Sequence, residues 1–290
     1  MPEPTYGFPV LVFGGSSQIG HFLLPRLLAR GASVTALSRR AHASRPGLHW
    51  LQGGLPDALP RELPHPSAIV SFGPLMAFAE WLSRADFGSE PPRVIATSSM
   101  SAETKRDSGV PSERAIAQLL RDGEQALAAA CARHGAPWTV LRPTLVYGAG
   151  LDKSLSPIAR RAWRTRVFPL PAGRGLRQPV HAEDIALAVL AALDCPASAG
   201  RILPIGGGER LSAGEMFARV RQTLPHANLP VRLPAWLLHA GQRLAPAKLR
   251  GPLARLDADL VADNGELERL LGVTPRAFRP TAEMWFPVKL

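Results

Sequence analysis

The residues best placed to do chemistry stand near the start of the chain, where Phe13 to Gly20 reads FGGSSQIG. Gly14, Ser17 and Gly20 keep a three-residue spacing between a strand-like run, PVLVFGG, and a helix-like run, HFLLPRLLARG. At such a turn the first glycine permits a tight bend, a small middle residue lets backbone approach a pyrophosphate, and the last glycine lets the helix pack on its strand. Ser17 takes the middle place, where a small hydroxyl still leaves room and can donate to phosphate. The backbone N–H groups around Ser16, Ser17, Gln18 and Ile19, at the start of a helix, complete an anion site. A dinucleotide is the expected ligand, and the end of the next strand discriminates which one. An acidic residue there would hydrogen-bond the adenosine ribose. This chain carries Ser38, Arg39 and Arg40 instead, a hydroxyl and two cations that suit a 2′-phosphate. NADP(H) is expected over NAD(H), and two exposed loop arginines are the alternative reading of that pair.

The elements that must hold these residues alternate along the first two-thirds of the chain. PVLVFGG, ASVTALSR, LHWLQGG, SAIVSFG, PRVIATSS and WTVLRPTLVYG read as strands with helical stretches between most of them, the first helix spanning about Gln18 to Ala29. SAIVSF and RVIATS are apolar or small throughout, as strands covered on both faces are. The expected fold is α/β, a Rossmann-like doubly wound parallel sheet with right-handed crossovers. A long helix is predicted to open with Ser112 after Pro111 as its N-cap and to stop at Gly135. Gly123 in its middle, about 1 kcal/mol worse than alanine, marks a close contact or a bend. Beyond residue 150 the alternation loosens. The expected division is a nucleotide-binding core over 1–150, with further core elements from 177–206, and a smaller C-terminal lobe over 151–290 that mostly covers the substrate. Within that lobe LPVRLPAWLLHAGQRLAPAKLRGPLARLDADL reads as short basic amphipathic helices that pack Trp236, Leu237 and Leu238 on the body, membrane-surface or partner docking being the alternative.

Composition narrows the function classes. The 290 residues are 46% hydrophobic with no apolar run of membrane-spanning length. The N-terminus shows no secretory signal pattern, so a cytoplasmic location is expected. Two cysteines, Cys131 and Cys195, without a CxxC pair, and eight scattered histidines give no metal site. The net charge of +11 comes almost wholly from arginines spread along the chain, which fits an anionic small-molecule substrate and not nucleic acid.

Seven segments together carry a resemblance: VLVFGGSSQIG, ALSRR, RVIATSS, LRPTLVYG, RQPVHAEDIALAVLAAL, PIGGGERLSAGEMF and LGVTPRAF, in that order and across nearly the whole chain. The sequence resembles the extended short-chain dehydrogenase/reductase superfamily, in its NAD-dependent epimerase/dehydratase group. The resemblance implies cofactor contacts at Gly14 to Gly20, at Ser38 and Arg39, at Phe72, Gly73 and Pro74, at Ser98 and Ser99, and at Pro143 and Thr144. It implies that Arg177 holds a substrate phosphate, as in nucleotide-sugar members. It also implies possible pairing into a homodimer through helices flanking the fourth and fifth strands. His181 and Asp184 are expected to be structural, the carboxylate capping a helix that starts at Ile185.

Two departures stand out against that family. Gly53-Gly54 follows the third strand where members usually show Gly-Asp. The family also uses a tyrosine and a lysine four residues later on one helix face, the lysine lowering the phenol's pKa. The only tyrosines here are Tyr6 and Tyr147, followed at +4 by Val10 and Leu151. Aligning Glu124 with the glutamate that follows the family lysine places Ile116 and Leu120, core-like apolar residues, at the tyrosine and lysine positions. Substitute proton donors are sought in SSMSAETKRDSG: Ser99, Ser101, Glu103 and Lys105, with Ser99 and Lys105 foremost. A solvated, mobile segment is the plainer reading of Glu103 and Lys105. Two functions therefore stay open, an NAD(P)-dependent oxidoreductase with a non-standard proton donor and a non-catalytic NADP(H)-binding sensor or scaffold.

Overall fold

The computed structural model describes residues 7–56, 59, 63, 65–171, 175–233 and 258–288. In chain order the elements are β1 (Phe8–Phe13), α1 (Gln18–Ala29), β2 (Ala32–Ser38), β3 (Leu48–Gln52), β4 (Ala68–Ser71), α2 (Leu75–Leu82), β5 (Arg93–Thr97), α3 (Ser101–Thr104), α4 (Pro111–His134), β6 (Trp138–Pro143) and β7 (Val146–Tyr147). There follow α5 (Leu155–Thr165), β8 (Val167–Pro171), β9 (Leu176–Arg177), β10 (Val180–His181), α6 (Ala182–Leu193), β11 (Arg201–Ile205), β12 (Leu211–Ser212), α7 (Ala213–Gln222), β13 (Leu229–Leu233) and α8 (Gly265–Leu271). The basic segment around Trp236, Leu237 and Leu238 lies outside the described residues.

Seven strands form one parallel sheet in the order β11-β6-β5-β4-β1-β2-β3. The order reverses between β1 and β4, and the crevice outside the strand ends at such a reversal is where ligands bind in this architecture. Both faces are covered, which is why the strands read as apolar runs. On one face α1 and α6 bury Leu23, Leu24, Leu27, Ile185 and Val189. On the other α2 and α4 bury Phe78, Leu82, Leu127 and Cys131. Gly123 permits the close approach of α4 to α2, since a methyl there would sit 3.2 Å from the Met76 nitrogen. A third apolar cluster, with Tyr147, Phe168, Phe217, Phe278 and Trp285, holds the C-terminal elements together. Arg160 ties that cluster to the body by donating from Nη1 to the carbonyls of Gly150 and Trp285, 2.8 Å each.

Two predicted caps are corrected. Ser112 does not cap α4: Val110 is the N-cap residue and Pro111 opens the helix. Proline suits that first position because its missing N–H would lack a helical partner anyway. The far end behaves as expected, with Gly135 at φ 63°. Nor does Asp184 cap α6. The helix starts at Ala182, and the ring of His181 accepts from the Glu183 N–H. Asp184 is free to accept two bonds from Arg276, at 3.0 Å from its N–H and 2.8 Å from Nε.

Candidate functional site

The glycine-rich turn lies between the C-terminal end of β1 and α1, on the crevice side of the sheet. Gly14 has φ +74°, a conformation that L side chains rarely adopt. Gly20 lies so close to Gly15 that a side chain there would overlap the Gly15 carbonyl. Gly15 itself was missed by the spacing argument. A methyl on it would lie 2.9 Å from Ala36 Cβ and 3.2 Å from the Trp50 ring. Its only sequence signal is the Gly-Gly doublet. Ser17 caps α1, its Oγ accepting from the Gly20 N–H at 3.1 Å, which leaves the hydroxyl proton free to donate. Gln18 donates from Nε2 to the Val146 carbonyl at 3.3 Å, while its buried Oε1 has no partner. Ile19 turns inward into the core.

At the end of β2 the Ser38 hydroxyl is the centre of a small network. It lies 3.0 Å from Ser16 Oγ and 3.1 Å from His42 Nε2, and it accepts from the Arg40 N–H at 3.2 Å. Arg39 and Arg40 are exposed. The stem of Arg39 runs against Gly54, where a methyl would sit 2.9 Å from Arg39 Cγ. The glycine that departs from the family's Gly-Asp is thus the residue over which Arg39 lies.

The remaining strand ends converge on the same side of the sheet. Phe72 donates its N–H to the Phe13 carbonyl at 3.0 Å, Gly73 donates to Ser71 Oγ, and Pro74 stands at the N-cap of α2. Ser98 Oγ, just beyond β5, is buried and without a hydrogen-bond partner. Ser99 Oγ accepts from the Ser101 N–H at 3.1 Å. Pro143 closes β6 and accepts from the Met100 N–H, and the buried Thr144 hydroxyl donates to the Gln178 carbonyl. The residues fit a dinucleotide: a turn with no room for a side chain at Gly14, Gly15 or Gly20, a helix start facing the crevice, and two orphaned polar atoms, Gln18 Oε1 and Ser98 Oγ, at its edges.

The segment expected to be solvated is fastened at Glu103 and Lys105. Glu103 accepts from Arg142 Nη1 at 2.7 Å, and Lys105, 9% exposed, lies 4.0 Å from Glu113 on the first turn of α4. Glu113 is buried and accepts from the Ser108 hydroxyl at 2.8 Å. Glu124, 3% exposed, receives Arg142 through both Nε, at 2.7 Å, and Nη2. That hydrogen bond is the first cause holding the Arg142 pKa above its ordinary value. The core-like reading of the two apolar residues between these anchors is corrected as well. Ile116 is 44% exposed and Leu120 half-buried, because α3 and its following loop cover only parts of this helix face.

Residues 119–206 match the model of the NAD dependent epimerase/dehydratase family. The fold is shared with solved structures along nearly the whole chain. UDP-glucuronic acid 4-epimerase from Bacillus cereus, in complex with NAD, superposes with a TM-score of 0.71 at 14% identity, over 95% of this chain and 96% of its own. An epimerase from Methanothermobacter thermautotrophicus gives 0.70 at 17% identity, over 96% and 92%. The enzyme WbmF from Bordetella bronchiseptica, in complex with NAD+ and UDP, gives 0.69 at 16% identity, over 96% and 90%. No curated protein matches the chain by sequence.

The stretch matched by the epimerase/dehydratase model contains Glu124, Arg142, Pro143, Thr144, Arg177, His181 and Asp184, but not the glycine-rich turn. Within it, Arg177 is buried in β9, and its Nη1 donates to the carbonyls of Leu176 and Ala258 at 2.8 and 2.6 Å. Tyr147 is fully buried against His181, Phe278 and Trp285, and burial pushes its phenol well above the usual range. Burial likewise lowers the His181 pKa, and the Arg276 charge adds to it. Glu183 binds Arg26 of α1 and, at 2.8 Å, Arg276. Burial works to raise the Glu183 pKa, but the Arg276 hydrogen bond and the nearby cations outweigh it, so the net shift is downward. This motif fastens α6 to α1 and to the C-terminal segment. An open cavity of about 430 Å³, lined by Arg219, Thr223, Phe278, Arg279 and Thr281, lies between α7 and the C-terminal segment and shares no residue with the glycine-rich turn. Arg219 there is committed to Glu209 and the Phe278 carbonyl. Among the described residues no group of His, Cys, Asp and Glu is poised for a metal, and no helix is long and apolar enough to cross a membrane.

Proposed function

We propose that this chain is an NADP(H)-preferring, epimerase/dehydratase-like oxidoreductase of the extended short-chain dehydrogenase/reductase superfamily, acting on an anionic carbonyl or nucleotide-sugar-like substrate. The observation that carries this reading is the crevice edge itself: a turn whose Gly14, Gly15 and Gly20 admit no larger side chain, joined through Ser16 to the Ser38 network, with Arg39 and Arg40 beside it. The solved neighbours, one described with NAD and another with NAD+ and UDP, support the ligand class. The absence of a carboxylate at the end of β2 supports the phosphorylated form.

In this reading the N–H groups at the start of α1 and the Ser17 hydroxyl hold the pyrophosphate. Phe72, Gly73 and Pro74 line the middle of the cofactor, and Pro143 and Thr144 its far end. A bound nicotinamide supplies or accepts the hydride. Ser98 Oγ, buried and unspent, hydrogen-bonds the cofactor or the substrate carbonyl. The proton is carried by Ser99 Oγ or Lys105 Nζ, at either end of α3, and the Glu113 carboxylate holds Lys105 in place. Arg177, anchored through Nη1, orients the substrate phosphate.

A second reading, a cofactor-binding sensor without turnover, is favoured by Ile116 and Leu120, apolar residues where the family's proton carriers stand on the proposed alignment. One experiment separates the two. Fluorescence titration with NADPH and NADH tests the site, and loss of reduced-nicotinamide absorbance with a panel of aldehydes, ketones and nucleotide sugars tests turnover. Binding with substrate-dependent oxidation supports the enzyme, binding without it supports the sensor, and failure to bind either nucleotide refutes both.

A further inference from the structure

We propose that His42 is a specificity-determining residue of the nucleotide site, a ligand for a phosphate on the adenosine ribose. The proposal rests on the dinucleotide reading above. Of residues 39 to 46 only His42 turns inward, and its neighbours on both sides are exposed. Its ring packs on Trp50, with centroids 4.4 Å apart and planes 34° from parallel, so the imidazole is fixed on one side. The same Trp50 ring backs Gly15 of the dinucleotide turn. One aromatic side chain therefore sets the position of both the turn and His42.

Three groups meet at Ser38 Oγ: His42 Nε2 at 3.1 Å, Ser16 Oγ at 3.0 Å and the Arg40 N–H at 3.2 Å. A hydroxyl has one proton and two lone pairs, so three contacts saturate it. The arrangement is a ring of hydrogen-bonding groups around a single oxygen, at the strand end where an adenosine ribose offers its 2′ position. A 2′-phosphate brings three acceptor oxygens to that point. Ser16, Ser38, His42 and the Arg40 N–H can each exchange a contact within this ring for one of them, and Arg39 supplies charge from its place over Gly54. A bare ribose hydroxyl has use for only one or two of these donors. His42 accordingly separates the phosphorylated from the unphosphorylated dinucleotide and does not contribute equally to both.

The test is a titration of NADPH, NADH and adenosine 2′-monophosphate against the full-length chain and against His42→Phe, which keeps a ring on Trp50 and removes the nitrogen. The expected result is about tenfold weaker NADPH and adenosine 2′-monophosphate binding, a loss equivalent to ~1.4 kcal/mol, with NADH affinity within twofold of the parent. His42→Leu, which removes the ring nitrogens and keeps an apolar contact with Trp50, should show the same selective NADPH loss and serves if His42→Phe folds poorly. Equal weakening of NADPH and NADH, or no change in either, overturns the assignment while leaving the dinucleotide site intact. A parent protein that binds neither nucleotide overturns the underlying reading, and this proposal with it.

Discussion

The sharpest structural prediction concerns Glu124, which receives two hydrogen bonds from Arg142 at the end of β6. Glu124→Gln keeps the shape and one acceptor but removes the charge. Breaking a buried ion pair from one side costs about 3–5 kcal/mol, because the surviving charge is left without its partner. Two features reduce that here: Glu103 also binds Arg142, at 2.7 Å, and the amide oxygen still accepts one bond. We expect a loss of about 2–3 kcal/mol, which for a chain of this size is a fall in Tm of about 4–12 °C by the usual scaling of ~2–4 °C per kcal/mol. Glu103→Gln removes a partner whose side chain is 38% exposed, so solvent screening should hold its cost to about 1 kcal/mol or less. The double variant should lose more than the sum, since Arg142 then has no carboxylate at all. Differential scanning fluorimetry on the three variants reads this directly. A Tm shift below ~1 °C for Glu124→Gln, or a larger shift for Glu103→Gln, would refute the claim that the Glu124 pair anchors β6 to α4.

Three further outcomes follow from the same geometry. Gly20→Ala would stabilise an unobstructed helix interior by ~1 kcal/mol; here the methyl overlaps the Gly15 carbonyl, so Tm should fall and NADPH affinity should drop at least about tenfold. His181 caps α6 only when Nδ1 is unprotonated, and its folded pKa lies below the ordinary value near 6.5, so its contribution is present above that value and lost as pH falls through the folded pKa. Melting between pH 7.5 and 5.5 should show that loss in the parent and a flatter profile in His181→Asn, which caps without titrating. Burial pushes the Cys131 thiol up to about 12, so native protein at pH 8 should take up iodoacetamide at this position only after denaturant is added, as peptide mapping would show.

The fold was legible because burial on both faces makes each strand of the central sheet an apolar run, and because Gly135 and the glycine turn announce the ends they serve. The caps were less legible. Ser112 has the right side chain for an N-cap, but Pro111 preceded it and took the first helical position. Asp184 likewise has the right chemistry, yet Arg276, 92 residues away, claims it. Part of the 98–110 segment is also fastened from far along the chain: Glu103 meets Arg142 39 residues on. Spacing along the chain carries no record of such partners, so a run of charged residues read as solvated turned out to be fastened. His42 escaped notice although Ser38 stands only four residues before it, because nothing in the spacing says that the ring turns back onto that hydroxyl. Only the fold brings it to Ser38 and Trp50.

That fastening bears on where a proton donor can stand. Along α4, Glu113, Ala117, Leu120 and Glu124 recur at steps of three and four, so they share one face. The first and last of them are buried carboxylates, engaged by Lys105 and Arg142, and the middle of the stripe is apolar. The stripe is thus held at both of its ends, while Ala117 and Leu120 between them offer nothing that ionises. On the proposed alignment, any group that exchanges a proton with a substrate must come from the segment laid against this face, not from the face itself. Within that segment Ser99 is bonded to backbone and Lys105 is buried beside the Glu113 carboxylate, which fixes the position of its ammonium. Lys105→Met should therefore abolish any turnover while leaving NADPH affinity within about twofold, whereas a sensor without chemistry would show no turnover to lose. A Lys105→Met variant that retained full turnover would move the proton donor to Ser99 or to water.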